Sequence, residues 1–430
     1  MKSKQNFKRI RPIIFVLNCF MVLALLQNIP QLKAQQTDTS QFFEYKGVVL
    51  NSKSNKPLEF ASVVVNNTNI STISNIDGEF LLKVPKDLIS NSVTITYLGF
   101  KNKIIAFKDF TSERMKIKME ESFEKLPDVN LVSKDAYWIV KKVMENRQKN
   151  YFDYPIIMKA FYRESIKKRR TYASLSESVI DIYKQPYKSS VRDYVKLNKA
   201  RKSTDYKKID TLIIKLQGGP YNNLNMDMIK NENLVFTDDI FEIYDFSFDK
   251  VISLNNNPVS VIDFVQKRSI VEPFYKGKLY IDSKNFALVK AVFSLNLENL
   301  KRASKYFVKK KPPNADVIPT RTQYIIDYRI RNGKWYFGYS RIELSFKIDW
   351  NKKLFNSLYH ITIEMATTDW DQNIQNLSLK KNERLKRNVI LNERASGFSN
   401  PEFWGEFNVI EPDKSIDNAI KKIQKNLNKK

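Results

Sequence analysis

The sequence predicts a mainly β protein: an N-terminal transthyretin-like β-sandwich, then a large curved antiparallel sheet packed on a helix. Three observations predict it. Short runs alternate between apolar and polar residues from Tyr45 to Met119, with turn residues between them. Longer alternating runs fill residues 156–371. One amphipathic stretch, 133–150, separates the two regions and has helical spacing.

In the first region Val63 and Val65 alternate with Ser62 and Val64, and Phe80, Leu82 and Val84 with Leu81 and Lys83. Val93, Ile95 and Tyr97 repeat the pattern, as do Met115, Ile117 and Met119. Lys56-Pro57, Asp77-Gly78 and Leu98-Gly99 punctuate these runs as turns. About seven short strands at this spacing make a sandwich over residues 42–121, a span expected to fold by itself. The stretch resembles the carboxypeptidase regulatory-like domain. The resemblance rests on Gly47, Pro57-Leu58 with Ala61 and Val63, Asn75 with Asp77-Gly78 and Phe80, and Tyr97-Leu98-Gly99-Phe100. It departs from the family at Ser71, where a Gly usually precedes the third strand. The resemblance implies a non-catalytic accessory domain of secreted and outer-membrane proteins.

Residues 122–132, with Pro127, read as a linker. Ser133 is the expected N-cap of a helix that buries Ala136, Ile139, Val140, Val143 and Met144 and stops near Asn150. Strands follow at 156–164 and 175–183, then a Lys-rich polar region from Lys184 to Lys208 and a loop with a helical turn over 221–240. They resume at Phe241–Phe248, Ser260–Val265, Gly277–Asp282 and Ala287–Leu297. Asn332-Gly333 joins two alternating runs as a hairpin. Ile342, Leu344, Phe346, Ile348 and Trp350 then share one face, and Leu358–Ala366 makes a further strand. The run Gly277-Lys278-Leu279-Tyr280-Ile281-Asp282 and the hairpin Asn332-Gly333-Lys334-Trp335-Tyr336 are similar to the lipoprotein-localisation-factor superfamily. That similarity implies an open half-barrel over helices that holds acyl chains. Residues 372–430 form a basic C-terminal segment, with Asp413 capping a helix striped by Ile416, Ala419, Ile420, Ile423 and Leu427.

The chain has 430 residues with a formal net charge of +27, one Cys and one His. Lys2, Lys4, Lys8, Arg9 and Arg11 precede an apolar run from Ile13 to Leu26, and Ala34-Gln35 follows as a cleavage junction. This pattern is a signal peptide over residues 1–34. Its removal takes away six basic residues, leaving +21, and the only cysteine, Cys19. The protein is thus expected to be exported, periplasmic or outer-membrane-associated. Nucleic acid is excluded as a partner; the basic balance suits a lipid or other anionic envelope surface, or an outer-membrane protein.

Catalytic chemistry is sparse. A lone His360 supports neither a zinc site nor a Ser-His-Asp triad, and no phosphate loop or dinucleotide fingerprint occurs. No catalytic, cofactor or metal residue is therefore assigned, and no enzyme is expected. Glu164, Glu177 and Asp181 lie on neighbouring predicted strands. They read either as the carboxylates of a hydrolase acting on envelope glycans or as ordinary strand surface with Arg163 as an ion partner. The function expected is a binding or assembly role at the cell envelope. An apolar groove around Phe293, Phe346 and Trp350 would hold a lipid-like ligand; the alternatives are the hydrolase and a structural adaptor of an outer-membrane complex. N-terminal sequencing of envelope-fraction protein is expected to begin at Gln35, and intact Met1 would contradict export by cleavage.

Overall fold

The computed structural model describes residues 41–88, 92–111, 113–122, 135–204, 219–231, 236, 238–255, 257–307, 313–351, 356–375, 377–387, 398, 400 and 402–427. The stretch 1–34 read as a signal peptide, Gln35, all of the expected linker 122–132 except Ser122, and Ser133 lie outside them.

Seven strands form the N-terminal sandwich: β1 Phe42–Asn51, β2 Ser62–Val65, β3 Ser71–Ile73, β4 Glu79–Pro85, β5 Ser92–Thr96, β6 Lys103–Ala106 and β7 Met115–Met119. One sheet has the order β4-β1-β7 and the other β3-β2-β5-β6. The alternating residues fill the space between them: Val49, Val63, Val65, Phe80, Leu82, Val93 and Ile95 are fully buried.

The helix runs as α1, Ala136–Glu145, followed by a short α2, Arg147–Asn150. Its N-cap is Asp135, whose side chain accepts from the Tyr137 and Trp138 amides. Ten strands then build one antiparallel sheet: β8 Ile156–Lys168, β9 Thr171–Lys184, β10 Tyr194–Thr204, β11 Tyr244–Leu254, β12 Asn257–Gln266, β13 Tyr275–Asp282, β14 Leu288–Leu295, β15 Ala315–Arg331, β16 Lys334–Trp350 and β17 Ser357–Gln372. Their order is β10-β9-β8-β17-β16-β15-β14-β13-β12-β11. The chain enters at β8 in the interior, runs out to one edge, crosses to the other and returns strand by strand until β17 closes against β8. Asn332 and Gly333 both take positive φ, 50° and 75°, in the β15–β16 hairpin, the geometry that an Asn-Gly pair adopts without strain. Register shifts, such as those between Asp327 and Tyr328 and between Thr367 and Asp369, interrupt several ladders and add local twist.

Two readings are corrected by these strands. The polar region 184–208 contains β10, an edge strand whose Lys196, Lys199 and Lys202 mask its alternation; charge on an edge discourages pairing with other chains. Phe241 does not open a strand. It ends a helical turn, α4 (Asp238–Phe241), and packs in the core. The crossover also holds α3, Pro220–Asn225, and contributes Tyr221, Leu224, Met228, Ile229 and Phe236 to the core over one face of the sheet, alongside α1.

A buried cation fixes that crossover. Lys184 Nζ donates to Asp193 Oδ2 at 2.8 Å and to Asp227 Oδ2 at 2.7 Å, and Tyr328 donates to Asp227 Oδ1 at 2.8 Å. Lys230 Nζ donates to the Pro186 and Ser189 carbonyls; burial lowers its pKa to about 8. Elsewhere α5, Leu300–Phe307, brings Phe307 against Phe346 at 5.5 Å.

The opposite face carries a longer charge network. Alternation along β8 sends Tyr162 into the helix-covered core and Arg163 the other way. Arg163 is 2% exposed. Its Nε donates to Glu177 Oε1 at 2.7 Å, its Nη1 to Glu364 Oε1 at 3.0 Å and its Nη2 to the Ile410 carbonyl at 2.7 Å. Arg201 donates to Glu177 Oε2 at 2.6 Å and Arg341 to Glu364 Oε2 at 2.7 Å. Three guanidiniums on β8, β10 and β16 thus occupy all four oxygens of two carboxylates on β9 and β17. The C-terminal segment covers them: Trp404, Val409 and Ile410 pack with Phe161, Val179 and Tyr339. The last helix, α6 (Lys414–Leu427), starts at Asp413, which accepts from the Ile416 amide at 2.8 Å. It seats Ile416 and Ile420 against Leu175 and Phe398 on the same face.

Burial alone would raise the pKa of Glu177, but Arg163 and Arg201 outweigh it and hold the carboxyl below its ordinary value. Glu177→Gln leaves two buried guanidiniums short of a counter-charge and is expected to cost about 3–5 kcal/mol in urea unfolding. A depressed folded-state pKa gives stability that is present above the unfolded value and lost as pH falls through the folded one. The gap between wild type and Glu177→Gln is therefore expected to narrow below about pH 4; a gap constant into acid would contradict the assignment.

Candidate functional site: the cleft between the sheets

The residues singled out from sequence fall in three places. Phe293, Phe346 and Trp350 are 2%, 0% and 8% exposed, within the core that α1 and the crossover cover. Phe293 stacks on Tyr324 at 5.1 Å. Glu177 and Asp181 share the outer face with Arg163, Asp181 lying 3.9 Å from Lys159. Glu164 points to the other face, where it accepts from Tyr162 at 2.8 Å and burial raises its pKa. The sheet therefore divides the three carboxylates, and Glu177, the most buried, has both oxygens on arginines. His360 is exposed, with its Nδ1 2.8 Å from Ser345 Oγ. Among the described residues no cluster of His, Cys, Asp or Glu has the geometry of a metal site, and no helix is long and apolar enough to cross a membrane.

Sequence reasoning missed the contact between the sandwich and the large sheet. β3 meets β17: Ser71 Oγ donates to the Thr367 carbonyl at 3.2 Å, and Asn69 Nδ2 donates to the Trp370 carbonyl at 2.6 Å. Phe60 stacks on Tyr339 at 5.3 Å, with the Arg341 guanidinium over its ring. At the other end of the seam the Gly99 amide donates to the Ser253 carbonyl at 2.7 Å. The C-terminal segment ties on as well: Asn75 Nδ2 donates to the Glu411 and Pro412 carbonyls, and Arg114 Nη1 donates to Glu411 Oε2 at 2.8 Å. Ser71, the departure from the usual Gly, is itself one of these contacts.

Between the two points of contact the surfaces part and leave a cleft of about 250 Å³. The sandwich contributes the outward side chains of β2 and β5, among them Ser62, Thr94 and Thr96. The large sheet contributes Lys290 from β14 and Asp327, Arg329 and Arg331 from the end of β15 that leads into the β15–β16 hairpin. Arg329 is 6% exposed. Its Nη1 donates to Ser71 Oγ at 2.8 Å and to the Thr367 carbonyl at 3.0 Å, while Nε and Nη2 have no partner. Arg331 Nε is also buried without a partner. Among the described residues of the wall Asp327 is the only carboxylate; burial raises its pKa against the pull of Lys290, 3.7 Å away. The one signal in the sequence was Arg329 and Arg331 two apart on a strand, which reads as routine surface until the sandwich covers it.

Comparison with known proteins bears on the first region. Residues 45–131 match the model of the CarboxypepD_reg-like domain, the fold found for that stretch. No curated protein matches the sequence. Among solved structures, a DUF1329 family protein from Desulfovibrio piger aligns over 57% of this chain and 96% of its own, with 9% identity and a TM-score of 0.24. A 9R-lipoxygenase from Cyanothece aligns over 76% of this chain and 42% of its own, with 10% identity and a TM-score of 0.15.

Proposed function

We propose that this protein is an exported, non-catalytic binding component of the cell envelope, and that it works as a structural adaptor. The observation that carries this reading is the use the chain makes of its own apolar face. α1 and the crossover 219–241 share one core with the sheet residues Phe293, Phe346 and Trp350. A lipid carrier would have to displace packed side chains at a cost of about 1.5–3 kcal/mol for each large residue exposed; an adaptor needs a stable frame and displaces nothing. Catalysis finds no support in the placement of Glu164, Glu177, Asp181 and His360. The CarboxypepD_reg-like domain supports an accessory role. The signal peptide and the strongly basic chain favour a periplasmic or outer-membrane-associated position, facing an anionic surface or an outer-membrane protein.

Native mass spectrometry of protein purified from the envelope fraction without detergent is expected to show no bound mass of lipid size. Photo-crosslinking in cells is expected to yield a discrete adduct with an outer-membrane protein. A stoichiometric lipid adduct would replace the adaptor reading by the lipid-carrier one.

A further inference from the structure

The seam cleft holds an imbalance that the fold itself does not explain. Among the described residues three cations, Lys290, Arg329 and Arg331, line it against one carboxylate, Asp327. Buried guanidinium donors are ordinarily satisfied, because leaving them without an acceptor carries most of the cost of desolvating a charge. Elsewhere this protein obeys that rule: every nitrogen of Arg163 is matched to an acceptor. Arg329 departs from it on one particular edge. Nη1 is anchored to Ser71 and Thr367, and the pair left buried without a partner is Nε and Nη2. That pair is the side-on fork of a guanidinium, the edge that takes a carboxylate or phosphate through two parallel hydrogen bonds.

The backbone is shaped to hold the arginine this way. β16 carries one extra residue, Gly338, where the register shifts between Asp327–Tyr339 and Tyr328–Phe337. A Cβ at Gly338 would stand 2.6 Å from Arg329 Cγ and 2.8 Å from Cδ. The arginine stem therefore lies across a glycine, at a bulge, a device that re-aims a side chain. Arg331 follows two residues later on the same strand, and its Nε too is buried and unpaired.

We propose that the cleft is an oxyanion-binding site, in which the Nε/Nη2 edge of Arg329 and the guanidinium of Arg331 receive a carboxylate or phosphate group of a small polar molecule. Lys290 adds charge, and Ser62, Thr94 and Thr96 line the same space from the sandwich. The site exists only when both modules are in place, since Ser71 of one holds Arg329 of the other. This deepens the binding role proposed above by giving it a ligand chemistry.

The test is isothermal titration calorimetry of the full chain at low ionic strength with two probes, inorganic phosphate and D-glucuronate. They distinguish a free oxyanion from one carried on a sugar. One-to-one binding of either probe is expected, weakened about tenfold or more by Arg331→Gln and by Arg329→Lys, the latter keeping the charge but losing the fork. Arg331 is only half-buried, so Arg331→Gln is expected to keep the wild-type thermal midpoint and circular dichroism. As a direct readout, the arginine Nε–H resonances that disappear in each variant are expected to move when the probe is added to the wild type. Absence of binding by both probes, or binding that both variants leave unchanged, would overturn the assignment. If the envelope crosslink persists in that case, only the cleft assignment falls and the adaptor reading stands.

Discussion

The buried Arg163 guanidinium is the interaction on which the rest of the molecule depends. It stands on an interior strand, between carboxylates from the strands on either side, and its remaining nitrogen reaches the Ile410 carbonyl of the C-terminal segment. A charge removed from water in this way is tolerated only when every donor is met. Completing it requires β8, β9, β17 and the distant 403–412 stretch to be present together. Arg201 and Arg341 extend the same requirement to β10 and β16.

From that network the position of the sandwich follows. The segment that closes over Arg163 also supplies Glu411 to Arg114 and the Glu411 and Pro412 carbonyls to Asn75. Its Val409 carbonyl accepts from Thr72 on β3, while β3 itself bonds to β17. The sandwich is thus held by the sheet directly and by the cover of the sheet's charge network. The cleft is the gap left between these attachments, and Arg329 is shared across it.

Local chemistry was legible in the sequence where period and turn residues agree. Val63 with Val65, Ile342 to Trp350 and the Asn332-Gly333 hairpin each specify an element without help from distant residues, and Asp413 announces α6. β10 was missed because its lysines conceal the alternation of an edge strand, and the helix start was misplaced at Ser133 because Asp135 offers the same capping chemistry two residues on. Strand order was not legible either: β17 pairs with β8 across nearly the whole second region, and no local pattern encodes that return. The same long range hid the cleft. Arg329 is an ordinary strand arginine until Ser71, more than 250 residues earlier, is placed against it. Residue types alone do indicate Arg163 as an ion partner for the carboxylates, and its pairing with Glu177 is the part of that region they could specify.

All five tryptophans lie at or beyond position 138, outside the sandwich, which permits one decisive measurement. Urea unfolding of the full chain can be followed by tryptophan fluorescence for the large sheet and by amide hydrogen exchange of β2 and β5 for the sandwich. If the shared network makes the two modules one cooperative unit, the two transitions coincide in the wild type and separate in Glu364→Gln. Two well-separated midpoints in the wild type would contradict the account.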